Sequence, residues 1–144
     1  GRECGFVALH ATVAAGDVDV CLLPEVPFAL DPLFSHIKKV LDEQGHCLLV
    51  VAEGAGQEHF ADVDLGKDAS GNRRLPDIGC FLKEQASAWF KKRGRAVNIR
   101  YMDPSYQIRS VRTTAADSIY CSLLGSNVVH GAMAGFSGFS CGQI

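Results

Sequence analysis

The stretch Cys47-Leu-Leu-Val-Val-Ala52 is the longest apolar run of the chain and decides its fold class. A continuous run of this kind, without the alternation of a half-exposed strand, is typical of a parallel strand that is covered on both faces. Just before it, apolar residues recur at helical spacing and a glycine follows, namely Leu33, Phe34, Ile37, Val40, Leu41 and Gly45. This spacing predicts an amphipathic helix that ends at the glycine and leads into the strand.

The alternation of helices and strands continues toward the N-terminus. Residues 18–23 predict a strand, which the prolines Pro24 and Pro27 stop. Residues 5–15 are small and apolar, so they predict a well-buried helix that stops at Gly16.

The same alternation extends toward the C-terminus. Residues 54–76 predict a long polar loop, residues 78–90 an amphipathic helix, and residues 96–101 a third strand. Thr114 and Asp117 resemble a capping box, which opens a helix that reaches the region of Ala134. The glycine-rich end is expected to lead into another strand.

The resulting order, α-β-α-β-α-β-α, predicts a parallel sheet flanked by helices, a Rossmann-like α/β fold. We expect residues 1–144 to form a single α/β domain that is part of a larger protein.

The composition excludes several classes of protein. Hydrophobic residues make up 47% of the chain and charged residues 21%, which is near the globular average and argues against disorder. The apolar run at residues 47–52 is far shorter than the ~20 residues that span a bilayer. The formal net charge of −2 provides no basic field for nucleic acid. We therefore expect neither a membrane span nor a nucleic-acid partner.

The cysteines and histidines do not have the spacing of metal ligands. The six cysteines form no CxxC pair and the five histidines no HExxH motif, so no metal site is expected in this chain. Most cysteines lie in apolar segments, which favours buried free thiols in a reducing compartment.

Polar residues follow each predicted strand, where a parallel sheet binds its ligands. These residues are Glu25 after the first strand, the segment Glu53-Gly-Ala-Gly56 after the second, and the segment 103–109 after the third. Gly1 and Arg2 precede the first helix, so they reach the same edge if a strand comes before them. The loops therefore converge on one side of the sheet.

The residue types in these loops indicate a ligand that carries phosphate and hydroxyl groups. Arg109, with Arg100 and Arg112 near it in sequence, supplies guanidinium groups that suit phosphate oxygens, although a surface ion pair is the alternative for each arginine. Glu25 either accepts hydrogen bonds from ligand hydroxyls or is a solvated or capping glutamate. Asp103, before a proline, is interpreted as a turn former.

The glycines of the second loop do not complete a dinucleotide motif. Gly54 and Gly56 lack the third glycine of GxGxxG, and no long helix starts at once. This loop is therefore interpreted as a turn rather than a nucleotide cradle.

Several strings, taken together, resemble the 6-phosphofructokinase family, nearest its ATP-dependent plant branch. They are Gly1-Arg2-x-x-Gly5-Phe6, Leu23-Pro-Glu-Val-Pro-Phe28, Ala52-Glu-Gly-Ala-Gly-Gln57, Tyr101-Met-Asp-Pro-Ser-Tyr-Gln-Ile-Arg109 and His130-Gly-Ala-Met-Ala-Gly135. The resemblance runs the entire length of the chain, with the motifs in the family's order. It implies the sugar-phosphate-binding part of an enzyme that transfers a phosphoryl group from ATP to the 1-hydroxyl of fructose 6-phosphate.

The resemblance also implies roles for individual residues. Arg2 is the expected catalytic residue, because it binds the sugar phosphate and stabilises charge on the transferring group, and Gly1 lies beside it. Glu25 accepts hydrogen bonds from the sugar hydroxyls. The phosphate of the sugar is bound by Arg100, Tyr106, Gln107, Ile108 and Arg109.

The remaining parts of the family's active site are expected upstream of Gly1. These are the nucleotide loop, the aspartate that binds Mg²⁺ with ATP, and the catalytic base, so we expect the chain alone to be inactive. A pyrophosphate-dependent enzyme and a non-catalytic regulatory subunit of the same fold are the alternatives. The full-length protein is expected to be a homo-oligomer in the cytoplasm, with the plastid as the second possibility.

Overall fold

The computed structural model describes residues 3–142 and confirms the α/β fold class. Its elements are α1 (Phe6–Ala15), β1 (Val20–Leu22), α2 (Leu30–Gln44), β2 (Leu49–Val51), α3 (Ile78–Lys92), α4 (Ser105–Ser110) and α5 (Ala115–Met133), with a 3-10 helix (Gln57–Phe60) after β2. The chain divides into two compact units, of which the first ends at Tyr101 and the second begins at Met102. That residues 1–144 are one domain of a larger protein stays a prediction.

The sheet of the first unit consists of β1 and β2, which pair in parallel. The register places Val20 opposite Leu49 and Leu22 opposite Val51. The backbone N–H of Ala52 donates to the carbonyl of Leu22 at 2.9 Å, which extends the pairing beyond the strand ends. Because the strands are parallel, the loops that follow them leave from the same edge.

A hydrophobic core built from α2, α3 and the strands holds the first unit together. Its buried members are Leu22, Leu33, Phe34, Ile37, Ala52, Ala55, Ile78, Leu82, Ala86 and Phe90. The predicted apolar face of α2 is therefore confirmed at its three buried positions. Gly45 ends this helix in the left-handed conformation, with φ of 80°, as the sequence predicts.

The predicted third strand does not form. Among the described residues, strand pairing is confined to β1 and β2 and to a single bridge between Lys67 and Arg73. Val97 and Ile99 still pack against the core. These two alternate positions of the segment therefore face the core, as the sequence pattern indicates. The prediction was wrong because a strand also needs a neighbouring strand to accept its backbone hydrogen bonds.

The expected burial of α1 is also wrong. This helix contacts both strands, but none of its residues is buried, and Phe6 is 65% exposed. The prediction rested on the rule that a helix with apolar residues on all sides is normally buried. The sequence pattern does not identify the surface that would bury it.

In the second unit, the predicted N-cap Thr114 at the start of α5 is confirmed, and its partner is Asp117 as expected. The backbone N–H of Asp117 donates to Oγ1 of Thr114 at 3.3 Å, and the Thr114 hydroxyl donates to the Asp117 carboxylate at 2.9 Å. The residues after α5 fold back onto it, since a Cβ at Gly131 would lie 2.5 Å from the ring of Phe139. The strand expected at the glycine-rich end is absent from residues 135–142.

Two further findings concern the whole described range. No helix within residues 3–142 has the length and apolar character needed to cross a bilayer. No disulfide joins the six cysteines, but they are exposed or half-buried rather than buried as expected.

Candidate functional site

The loop after β1 places Glu25 against the start of α1. The backbone N–H of Gly5 donates to Oε1 of Glu25 at 2.8 Å. A carboxylate at a helix N-terminus satisfies an unpaired donor and the positive end of the helix dipole. Glu25 thus caps a helix in this structure, one of the two readings of the sequence, and its contact with sugar hydroxyls stays a prediction.

Gly5 is the closest point between α1 and this loop. A Cβ at Gly5 would lie 2.5 Å from Cδ2 of Leu23 and 2.8 Å from Oε2 of Glu25. Only a residue without a side chain therefore allows the helix to begin this close to the carboxylate. The sequence analysis did not identify this contact, which joins residues 20 positions apart.

The thiol of Cys4, which is next to Gly5 in the sequence, has a lowered pKa. The backbone N–H of Phe6 is the main cause that lowers the pKa of Cys4. Donation from backbone groups favours the charged form of an acid.

The loop after β2 forms the predicted turn. The N–H of Ala55 donates to the carbonyl of Ala52 at 2.9 Å, and Gly56 adopts a left-handed φ of 65° before the 3-10 helix. A Cβ at Gly56 would lie 2.9 Å from Cζ of Phe28 and 2.8 Å from Cδ1 of Ile78. The glycine is thus required for close packing, which accounts for it without a nucleotide.

The two loops are joined through the backbone of Phe28. Its N–H donates to Oε1 of Glu58 at 3.2 Å, and its carbonyl lies 3.1 Å from Nε2 of His59. The His59 ring also packs against the rings of Phe28 and Phe81, with centroids 5.2 Å and 5.8 Å apart. The sequence analysis missed these residues, because no local pattern links positions 30 and 31 residues apart.

Arg100 belongs to the first unit and lies in the extended segment after α3. Its side chain is exposed. The neighbouring Tyr101 hydroxyl donates to Oδ1 of Asp77 at 3.1 Å. This hydrogen bond ties the segment to the start of α3, where Asp77 is the N-cap.

The predicted phosphate-binding residues of the second unit lie on α4, which the sequence analysis interpreted as a loop. Asp103 accepts from the N–H of Ser105 at 2.9 Å, so its prediction as a turn former is confirmed.

Tyr106 and Arg109 are three positions apart and therefore lie on one side of the short helix α4. Both are exposed, and Tyr106 is 80% exposed. Gln107 and Ile108, between them, are exposed as well.

Two of the predicted site residues, Gly1 and Arg2, lie outside the described residues. Within residues 3–142, no three His, Cys, Asp or Glu side chains come together in a way that could hold a metal ion.

Comparison with known proteins places the chain in a family. The sequence profile "Phosphofructokinase" matches residues 1–132. The chain is 44% identical to ATP-dependent 6-phosphofructokinase 5, chloroplastic, from Arabidopsis thaliana, over 100% of its own length and 27% of the relative's. It is 46% identical to ATP-dependent 6-phosphofructokinase from Amycolatopsis methanolica, over 94% of its own length and 31% of the relative's.

These matches confirm the resemblance that the sequence motifs indicate. The chain spans between a quarter and a third of the length of these relatives, at 27% and 31%. The profile nevertheless covers nearly the whole chain, from residue 1 to residue 132. The chain belongs to the phosphofructokinase family.

Proposed function

We propose that the chain is the fructose 6-phosphate-binding part of an ATP-dependent 6-phosphofructokinase. The observation that carries this proposal is the identity of 44% over 100% of the chain with a relative named for that activity. The names of both plant and bacterial relatives specify ATP, which favours ATP over pyrophosphate as the phosphoryl donor.

In the proposed reaction, the 1-hydroxyl oxygen of the sugar forms a bond to the γ-phosphorus of ATP while the bond to ADP breaks. The hydroxyl proton passes to a base outside this chain. Arg2 stabilises the negative charge on the transferring group, which is where a fixed cation lowers the barrier most.

The other predicted residues of the site hold the sugar phosphate. Glu25 accepts from sugar hydroxyls through the carboxylate oxygen that is not used by Gly5. Tyr106 and Arg109 bind the 6-phosphate from one side of α4, since a guanidinium can donate two parallel hydrogen bonds to phosphate oxygens. By the resemblance to the family, Arg100, Gln107 and Ile108 are also assigned to the sugar phosphate, and Gly1 is assigned to the sugar together with Arg2.

The test uses the full-length polypeptide that carries residues 1–144, assayed for ADP formation from ATP and fructose 6-phosphate. We expect activity in this protein and none in the 144-residue chain alone. Arg109→Ala is expected to raise the KM for fructose 6-phosphate about 10- to 100-fold, because a charge-assisted pair to phosphate is lost. The KM for ATP is expected to stay unchanged.

The matched control is Arg74→Ala, since Arg74 is an exposed arginine that belongs to none of the predicted site segments. An inactive full-length protein would contradict the proposed function. Equal kinetic effects of the two arginine substitutions would contradict the assignment of Arg109.

The homo-oligomeric state and the cytoplasmic location belong to the same proposal. Light scattering on the full-length protein tests the first, and a monomer at all concentrations would contradict it. Fractionation of cells tests the second, with recovery in plastids as the opposing result.

A further inference from the structure

The segment 23–29, between β1 and α2, carries Glu25 and is held at two points. Near its start, Glu25 accepts from the N–H of Gly5 at 2.8 Å. Near its end, the backbone of Phe28 meets Glu58 and His59. Within the segment, the N–H of Val26 donates to the carbonyl of Leu23 at 3.3 Å.

The contacts to Phe28 involve both of its backbone polar groups. Oε1 of Glu58 takes the N–H at 3.2 Å, and Nε2 of His59 lies 3.1 Å from the carbonyl. A carbonyl oxygen only accepts, so Nε2 of His59 must carry the proton. Glu58 and His59 are adjacent in the 3-10 helix, so one rigid turn fixes the position of Phe28 and the orientation of its peptide groups.

We propose that Glu58 and His59 are positioning residues for Glu25, an inference that rests on the proposed function of Glu25 as a ligand of the sugar. Phe28 is three residues after Glu25, and two prolines limit the freedom of the loop between β1 and Phe28. When the loop is fixed at Phe28, the Glu25 carboxylate is held where the hydroxyls reach it. Preorganisation of this kind lowers the cost of ordering a loop when the ligand binds.

The exposure of Glu58 distinguishes this role from a purely structural one. Its side chain is 44% exposed, and the Phe28 N–H would be hydrated if the carboxylate were absent. A hydrogen bond in such a place contributes little to global stability. The hydrogen bond between Glu58 and Phe28 therefore mainly fixes the local position of the loop.

The kinetic test compares the full-length enzyme with the double substitution Glu58→Ala/His59→Leu, which removes both hydrogen bonds to the backbone of Phe28. We expect the KM for fructose 6-phosphate to rise about ten-fold, since two hydrogen bonds that order the loop are lost. The KM for ATP is expected to stay unchanged. The substitution Glu58→Gln/His59→Gln supplies an acceptor and a donor again and is expected to restore most of the affinity for the sugar.

The control is Glu43→Ala/His36→Leu, which removes an exposed glutamate and an exposed histidine from α2. An unchanged KM for fructose 6-phosphate in the Glu58/His59 variant would overturn the inference. So would an equal rise in both KM values together with a lower melting temperature, because that is the signature of a structural role.

Hydrogen exchange on the full-length protein separates this inference from the proposed function. In the Glu58→Ala/His59→Leu variant, the Phe28 amide is expected to exchange about ten-fold faster, because its acceptor is gone. Unchanged exchange would overturn the inference whatever the activity. Faster exchange in a protein that has no kinase activity would refute the proposed function and, with it, the positioning role of Glu58 and His59.

Discussion

The backbone N–H of Gly5 donates to Oε1 of Glu25 at 2.8 Å, and this bond joins the start of α1 to the end of β1. The carboxylate therefore has one oxygen committed to the protein and a second one near the same helix start. This arrangement orients the carboxylate before any ligand arrives. It also makes the position of Glu25 depend on the absence of a side chain at Gly5.

Substitution of Gly5 by alanine is predicted to destabilise the chain. The new Cβ would lie 2.5 Å from Cδ2 and 2.9 Å from Cβ of Leu23, so either the Leu23 side chain or the start of α1 must shift. Overpacking of this kind costs about 1–3 kcal/mol. The loss is measured as the free energy of unfolding in urea.

The control for this substitution is Gly125→Ala in α5, where an added Cβ meets nothing within 4 Å. There the methyl group is expected to stabilise the helix by about 0.5–1 kcal/mol. Equal changes in the two variants would show that the contact between Gly5 and the β1 loop is not tight.

Glu25→Gln is predicted to weaken binding of the sugar while the capping of α1 is kept. The amide oxygen of glutamine can still accept from Gly5, but an NH₂ group then replaces the second acceptor. We expect the KM for fructose 6-phosphate in the full-length enzyme to rise about 10- to 100-fold, which is the range for a lost hydrogen bond to a charged group. Glu84→Gln, on the exposed part of α3, is the matched control, and similar KM values in both variants would contradict the prediction.

The elements that follow from local patterns could be predicted from the sequence. The apolar spacing of α2, its end at Gly45 and the cap at Thr114 depend on residues within a few positions of one another, and the structure confirms each. The parallel strand β2 follows from its continuous apolar run.

The features that depend on distant partners could not be predicted in this way. Among the described residues, the segment 96–101 has the alternation of a strand but pairs with no other strand, and α1 has an apolar surface that remains exposed. The hydrogen bonds of Glu58 and His59 to the backbone of Phe28 join residues 30 and 31 positions apart. Periodicity does not encode such contacts, since the tertiary fold decides which loops meet.

The stability of the folded chain is predicted to fall at low pH, because the Asp19 carboxylate then becomes protonated. The backbone N–H of Leu48 donates to its carboxylate at 2.6 Å and is the main cause that lowers the pKa of Asp19. Gln44 adds a second hydrogen bond at 2.5 Å. Because the pKa is lower in the folded chain, the stabilisation is complete above the unfolded value of about 4. It is lost as the pH falls through the folded value.

The measurement is the melting temperature of the chain between pH 7 and pH 2.5. Asp19→Asn is expected to reduce the dependence on pH in the acid range, since asparagine does not titrate. Asp17→Asn, at an exposed aspartate two positions away, is the control that changes the net charge equally. If the acid dependence were the same in the wild type and in the Asp19 variant, the role of Asp19 would be refuted.

Cys47 is predicted to react slowly with alkylating reagents, for a reason that also involves Asp19. Burial is the main cause that raises the pKa of Cys47 to about 11, and the negative charge of Asp19 adds to it. A thiol in an unfolded chain has a pKa of about 8.5, so the thiolate fraction of Cys47 at pH 8 is lower by about 200-fold. Iodoacetamide labelling followed by peptide mass spectrometry measures each rate, with the urea-unfolded chain as the reference.

The variant Asp19→Asn tests the contribution of the neighbouring charge. It is expected to speed the reaction of Cys47 and to leave that of the exposed Cys121 in α5 unchanged. Labelling of Cys47 at the unfolded rate in the folded chain would contradict its burial beside Asp19.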